Sequence, residues 1–342
     1  MVKLYGRDLI TTQDWSLEEI HEALRIAKEL KKLSRMGKPW PDILRKKTFF
    51  MVFYASSTRT RAAFESAMTY LGGHAAYIDV STTRLKAGEA TKDVAKMYEA
   101  YGDGIGVRIL DEIIDFKYGE GNKVVREYAE ASKKPVINMA DDMFHPTQGI
   151  GDIMTVQEKL GELKGKKFTV MWAYSSRLRG PCSIQEEILI ATRLGMDVVL
   201  AHPPGFEIDP KILEWARENA RESGGSFEVV NDYKEGLRGA NVVFPRSWVT
   251  WGLMQVGASA FSRERELEIH NKYRDWMLTQ QLVDDLMERG AIVTHVLPVF
   301  RGEEATDEVM DGPNSVIYEQ AENNLYSKAA VLALTMSENP GI

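Results

Sequence analysis

The sequence predicts an α/β protein built from two doubly wound parallel-sheet domains. Three observations lead there. Strand-like and helical segments alternate along the whole chain, the pattern of parallel sheets covered by helices. The length of 342 residues is that of about two domains. A charged, glycine-punctuated connector at residues 161–167 breaks the alternation near its middle.

In order, the first set of elements has strands near 48–54, 75–79, 104–109 and 135–139, and helices near 15–35, 58–71, 89–101, 120–131 and 146–160. The helix after residue 57 is read from Ala62, Ala63, Phe64, Ala67, Met68 and Leu71 at helical spacing, with Gly72-Gly73 as its stop and Ser57 or Thr58 as N-cap. Pro146 suits a first helical turn, where its missing N–H costs nothing. The second set has strands near 168–173, 197–201, 226–230, 240–244 and 291–295, and helices near 183–194, 210–222 and 279–289. A long amphipathic helix from Glu319 to Met336 closes the chain. The expected domains are residues 1–150 and 151–318, with the closing helix at 319–338.

Composition narrows the function class. A hydrophobic content of 44% fills two cores. The net charge of -7 argues against nucleic acid as an electrostatic partner, so basic clusters are local features. One cysteine, Cys182, excludes an internal disulfide and fits a reducing compartment. No apolar run reaches the ~20 residues of a membrane span, and the first residues lack a signal-peptide core, so a soluble, cytoplasmic protein is expected.

Four polar groups each follow a predicted strand. Ser57-Thr58-Arg59-Thr60-Arg61 opens a helix, so unpaired backbone N–H groups, three hydroxyls and two guanidiniums meet where a phosphate would bind. Gly106-Val107-Arg108 ends a strand; His145-Pro146-Thr147-Gln148 follows another; His295-Val296-Leu297-Pro298 and Arg301-Gly302-Glu303-Glu304 follow a third apolar run. Carboxyl ends of strands are where open α/β sheets bind ligands. The plain alternatives are a capped surface helix carrying two arginines, and histidines that are caps or satisfied core residues. Neither a G-x-G-x-x-G fingerprint nor a phosphate-binding G-x-x-x-x-G-K-S/T loop occurs, which disfavours a nicotinamide dehydrogenase. There is no H-E-x-x-H pair and no second thiolate, so no metal and no cofactor are expected.

These motifs, in this order, resemble the aspartate/ornithine carbamoyltransferase family, and the tail 305–315 with Glu319-Gln320-Ala321-Glu322-Asn323 resembles its ornithine branch. The resemblance implies a carbamoyl phosphate-binding first domain, an acceptor-binding second domain, a last helix packed back on the first, and a site in the cleft between them. It implies that Ser57, Thr58, Arg59 and Thr60 hold the phosphate, and that Thr60, Arg108 and His145 polarise the carbonyl oxygen. Gln148, the Leu297 carbonyl and Arg301 would orient the carbamoyl amide, making Arg108, His145, Gln148 and Arg301 the catalytic set. It further implies a homotrimer with shared sites, in which Arg84 of the 82–86 loop reaches a neighbour's phosphate site; the alternative for Arg84 and Lys86 is a solvated loop. Carbamoyl phosphate and an amino-acid amine are the expected partners, with no nucleic acid and no membrane.

The acceptor side departs from the family pattern. Where ornithine enzymes carry D-x-W-x-S-M-G and H-C-L-P, this chain has Arg246-Ser247-Trp248-Val249-Thr250-Trp251-Gly252 and Val296 in place of the cysteine. A cation at Arg246 repels a cationic diamino acid. Pro245-Arg246-Ser247-Trp248, with a long loop at 177–181, resembles the N-acetylornithine and N-succinylornithine enzymes, which implies an N-acylated or otherwise anionic acceptor contacting Arg246, Ser247, Trp248 and Val296. The same likeness implies a trefoil knot in the second domain, against the alternative of a long surface loop. Arg246 has its own alternative, a structural ion pair with Asp232 or Glu303. A non-catalytic carbamoyl phosphate-binding paralogue, or a classical ornithine enzyme with an altered acceptor site, are the competing functions.

Overall fold

A computed structural model describes residues 2–342. The described residues form two compact units: 2–114, 119–154 and 321–342 make the first, and 115–118 with 155–320 the second.

The first unit holds a four-stranded parallel sheet of β1 (Thr48–Phe53), β2 (His74–Asp79), β3 (Gly104–Arg108) and β4 (Val136–Ala140), in the order β2-β1-β3-β4. Its helices are α1 (Leu17–Arg35), α2 (Thr58–Tyr70), α3 (Thr91–Tyr101), α4 (Glu120–Ala131) and the start of α5 (Pro146–Leu160). Because the winding reverses between β1 and β3, their carboxyl ends define the expected ligand position. Residues 54–61 and Arg108 lie there. Gly106 makes the tight packing beneath possible, since a Cβ there would sit 2.7 Å from both the Phe49 ring and the Met139 sulfur.

The second unit has a five-stranded parallel sheet in the order β7-β6-β5-β8-β9: β5 (Lys167–Trp172), β6 (Asp197–Ala201), β7 (Ser226–Val230), β8 (Val242–Arg246) and β9 (Ile292–Val293). Its helices are α6 (Cys182–Arg193), α7 (Pro210–Ser223), α8 (Tyr233–Leu237), α9 (Trp251–Val256), α10 (Ala258–Phe261), α11 (Arg263–His270), α12 (Gln280–Leu286) and α13 (Asp307–Asp311). Here the winding reverses between β5 and β8, which puts Arg246 at the switch. The last helix, α14 (Ile317–Met336), runs mostly within the first unit.

Alternation, strand count and the long helices match the sequence reading. Three differences remain. β8 lies two residues later than expected, ending on Arg246, with Pro245 accommodated in register with Met171 of β5. β9 is two residues rather than five: Thr294 N–H still reaches the Val243 carbonyl of β8 at 3.0 Å, but His295 leaves the ladder and its N–H donates to the Gln320 side chain at 2.8 Å. The short helices α8, α9, α10, α11 and α13 were not read from the sequence, being four to eight residues long; α11 is in addition mostly charged, with its Glu266 and His270 buried together 3.2 Å apart.

Among the described residues no helix is long and apolar enough to cross a membrane, and no group of three His, Cys, Asp or Glu side chains is placed to hold a metal ion.

Candidate active site

In the first unit, Ser57 is the N-cap of α2: it is extended (φ -156°, ψ 126°) and its hydroxyl accepts the Thr60 N–H at 3.2 Å. One donor of the first turn is thereby satisfied, and the others point out with the positive end of the helix dipole. Thr58 and Arg59 are exposed at that end, while Thr60 is buried. Arg108, the last residue of β3, donates from Nη1 to the Thr60 hydroxyl (3.4 Å) and the Met139 carbonyl (3.3 Å). These contacts aim the guanidinium along the sheet edge.

His145 is buried just before α5, and its Nδ1 has no protein partner. Burial, then the positive charges of Lys328, Arg108 and Arg59, hold its imidazolium pKa well below the ordinary 6.5. A neutral ring at pH 7 keeps one N–H to donate and carries no charge that would compete for the phosphate. Gln148 is fixed one helical turn on: its Nε2 donates to Asp152 Oδ1 at 2.6 Å, leaving Oε1 to accept from a ligand amide. Ser57, Thr58, Arg59, Thr60, Arg108, His145 and Gln148 therefore belong to one unit, at one sheet edge. Arg84 is exposed on a short turn, Arg84–Ala87, outside this network.

The second unit gathers a different set. Glu304 is fully buried and accepts from the Ser247 N–H (3.0 Å) and Phe300 N–H (2.9 Å); Arg246 Nη1 lies 3.5 Å away and His295 Nε2 3.3 Å. Burial alone would raise its pKa, but His295 and Arg246 outweigh it and hold the carboxyl at about 2. His295 Nδ1 accepts the Leu297 N–H at 2.9 Å, so Nε2 is the protonated nitrogen facing Glu304. Leu297 has a left-handed φ of 52° followed by a cis bond to Pro298. Arg246 also donates to the Pro298 carbonyl at 3.3 Å, and its Nε is buried without a partner, as is the Ser247 hydroxyl.

The loop after β5 joins this group. The Arg177 and Arg179 guanidiniums each lie 5.0 Å from the Phe300 ring centroid, and Glu303 accepts from Ser176 N–H (2.8 Å) and both the Ser175 and Ser176 hydroxyls. Two expectations are corrected here. The acidic partner of Arg246 is Glu304, since Glu303 is occupied by the 175–176 turn. Trp248 is a core residue, fully buried, with its indole N–H on the Phe206 carbonyl (2.9 Å) and its carbonyl on the Trp172 indole. Val296 is half-buried beside Leu297. Arg301 is exposed and paired with Asp307 (2.8 Å) and, through two nitrogens, Asp311 (2.7 Å each). Glu304 appeared in the sequence only as part of the Arg301–Glu304 group and Lys328 not at all; nothing local marks either as buried.

A hydroxyl- and guanidinium-rich helix start on one parallel sheet, and a buried arginine–carboxylate–histidine group on another, define a two-domain α/β protein that handles a phosphorylated small molecule. Two family models match: aspartate/ornithine carbamoyltransferase, carbamoyl-P binding domain, over residues 7–158, and the Asp/Orn binding domain of the same family over 181–335. The chain belongs to the aspartate/ornithine carbamoyltransferase family. It is 39% identical over 338 residues to the anabolic ornithine carbamoyltransferase of Pyrococcus furiosus, covering 98% of each chain. It is 32% identical over 349 residues to the N-acetylornithine carbamoyltransferase of Xylella fastidiosa, covering 97% of this chain and 99% of that one. Among solved structures, ornithine carbamoyltransferase from Pyrococcus furiosus superposes with a TM-score of 0.85 at 38% identity, over 98% of this chain and 99% of that one. An acetylornithine transcarbamylase complexed with acetylcitrulline gives 0.87 at 29% identity, over 97% and 99%.

Proposed function

We propose that the protein transfers the carbamoyl group of carbamoyl phosphate to the amine of an ornithine-type amino acid, with an N-acylated ornithine or another anionic acceptor ahead of free ornithine. The amine nitrogen attacks the carbonyl carbon, the carbon–oxygen bond to phosphate breaks, and phosphate leaves while the nitrogen loses a proton. The donor set carries this reading: helix N–H groups and Arg59 for the phosphate, Arg108, Thr60 and the neutral His145 for the developing oxyanion, Gln148 for the amide. No covalent intermediate is needed, because the phosphate is already a good leaving group. The chain's lone cysteine fits a cytoplasmic setting.

The acceptor assignment rests on charge. Arg246, Arg177 and Arg179 outnumber Glu303 and Glu304, and Arg246 Nε and Ser247 Oγ remain for a ligand carboxylate or amide. Free ornithine is the second reading, favoured by the identity to ornithine enzymes. Product formation from carbamoyl phosphate and paired free and N-acylated diamino acids separates them. Wild type should prefer the acylated partner, and Arg246→Asp should move the kcat/KM ratio toward the free one by at least about tenfold, since each ~1.4 kcal/mol of charge discrimination is tenfold. An unmoved ratio would reduce Arg246 to the partner of Glu304 alone.

A homotrimer with shared donor sites is supported by the exposed Arg84 and Lys86 on the 81–88 loop. Arg59→Ala should weaken carbamoyl phosphate binding by about tenfold or more, as expected for losing a charge-assisted hydrogen bond of ~1.5–3 kcal/mol. Mixing it with an Arg84→Ala subunit should recover activity in sites made of two intact halves. Verified mixed oligomers as inactive as their parents would exclude sharing.

A further inference from the structure

Lys328 is among the largest fully buried side chains of the protein, on the α14 face that packs into the first unit. Its Nζ donates to the Asn324 side-chain oxygen at 2.6 Å and the Asn324 carbonyl at 3.3 Å, and lies 5.7 Å from the centroid of Phe64, a residue of α2. Asn324 Nδ2 in turn reaches Asp152 Oδ1 at 3.4 Å, the same oxygen that holds Gln148. The helices can approach this closely because α5 carries Gly151, where a Cβ would stand 3.0 Å from the Ser327 hydroxyl and 3.3 Å from Asn324. A hydrogen-bonded chain therefore links Lys328 to Gln148, and the ammonium heads the charges acting on the His145 ring. Burying an ammonium is costly unless something repays it.

We propose that Lys328 is an additional positioning residue of the donor site, a buried cation presented by the C-terminal helix that balances the phosphate dianion and, through Asn324 and Asp152, holds Gln148 toward the carbamoyl amide. This rests on the carbamoyl phosphate reading above. The charged groups facing Lys328 are Asp152 on α5, Arg59 on α2 and Arg108 at the end of β3, with His145 neutral beside it. Burial lowers its pKa; Asp152 opposes that and the two arginines add to it, leaving it at about 7. A dianion brought into that field raises the value again. Binding above pH 7 thus carries a proton onto Lys328, whereas below pH 7 the proton is already there.

Calorimetry with carbamoyl phosphate between pH 7 and 9, where the ligand's second ionisation (pKa near ~6) is complete, reads this directly. Wild type should lose affinity as pH rises, by up to about tenfold per unit, and binding heats in two buffers of different ionisation enthalpy should show proton uptake approaching one per site near pH 8.5. Lys328→Met should bind more weakly at pH 7, with affinity flat across the range and no uptake assigned to this site. Asp142, held near pH 8 by burial and Asp141, is common to both proteins, so the difference between them isolates Lys328. Lys328→Arg should restore charge without the pH dependence. Wild type that binds with no proton uptake, which needs no variant to establish, overturns the inference while leaving the donor site intact. So does a folded Lys328→Met with wild-type affinity and pH profile. Failure of wild type to bind carbamoyl phosphate would overturn the functional reading itself.

Discussion

Glu304→Ala should lower the unfolding free energy of the protein by about 3–5 kcal/mol, the cost of leaving a buried partner charge uncompensated. Arg246 would lose its carboxylate, Ser247 and Phe300 would lose acceptors for buried N–H groups, and the His295 Nε2 proton would face nothing. Urea denaturation at pH 7 measures the effect. Its pH dependence is a second check: a carboxyl lowered from 4.5 to about 2 contributes fully above its unfolded value and loses that contribution as pH falls toward 2. The gap between wild type and variant should thus be constant from pH 7 to 5 and narrow below about 4. A loss under ~1 kcal/mol, the level of an exposed pair, would show that the group is not the hub its contacts suggest.

His145→Ala should reduce kcat by about 10²–10³, the range for removing one oxyanion donor, with a smaller change in donor affinity. The ring is uncharged at neutral pH, so it adds little attraction to the ground-state phosphate and acts as charge develops on the carbonyl oxygen. Because burial and the neighbouring cations keep it neutral, the wild-type kcat profile should show no inflection near 6.5 from this residue. Steady-state kinetics of both proteins from pH 5.5 to 8.5 decide the matter. An equal loss in carbamoyl phosphate affinity would make His145 a structural residue.

What was legible in the sequence follows a physical rule. The grouping at the carboxyl end of the first sheet was readable because its parts are local: Ser57 caps the helix it precedes, and His145 and Gln148 flank the start of α5. Strand order was not written in any window, yet alternation alone required parallel sheets, and those put Arg108 and Arg246 at carboxyl ends. What failed was long-range polar pairing. Glu304 meets Arg246 across 58 positions of chain and Lys328 comes from the last helix to face α5; a carboxylate in R-G-E-E or a lysine in an alanine-rich helix looks solvated until the tertiary fold encloses it. Trp248 misled in the opposite direction, since a tryptophan beside a basic residue reads as a contact and turned out to be core.

The first unit is made from residues on both sides of the 155–320 segment, which forms most of the second unit. During synthesis its sheet and α2 emerge early, but Asn324, Ser327 and Lys328 follow only after the whole insertion, on the order of ten to thirty seconds later at ordinary elongation rates. Until then the face of α5 bearing Gly151 and Asp152 lacks its cover. The nascent chain thus exposes apolar surface on its first unit while its second is still being made, and a chain terminated short of residue 321 would carry the capped start of α2 with no closed core beneath it.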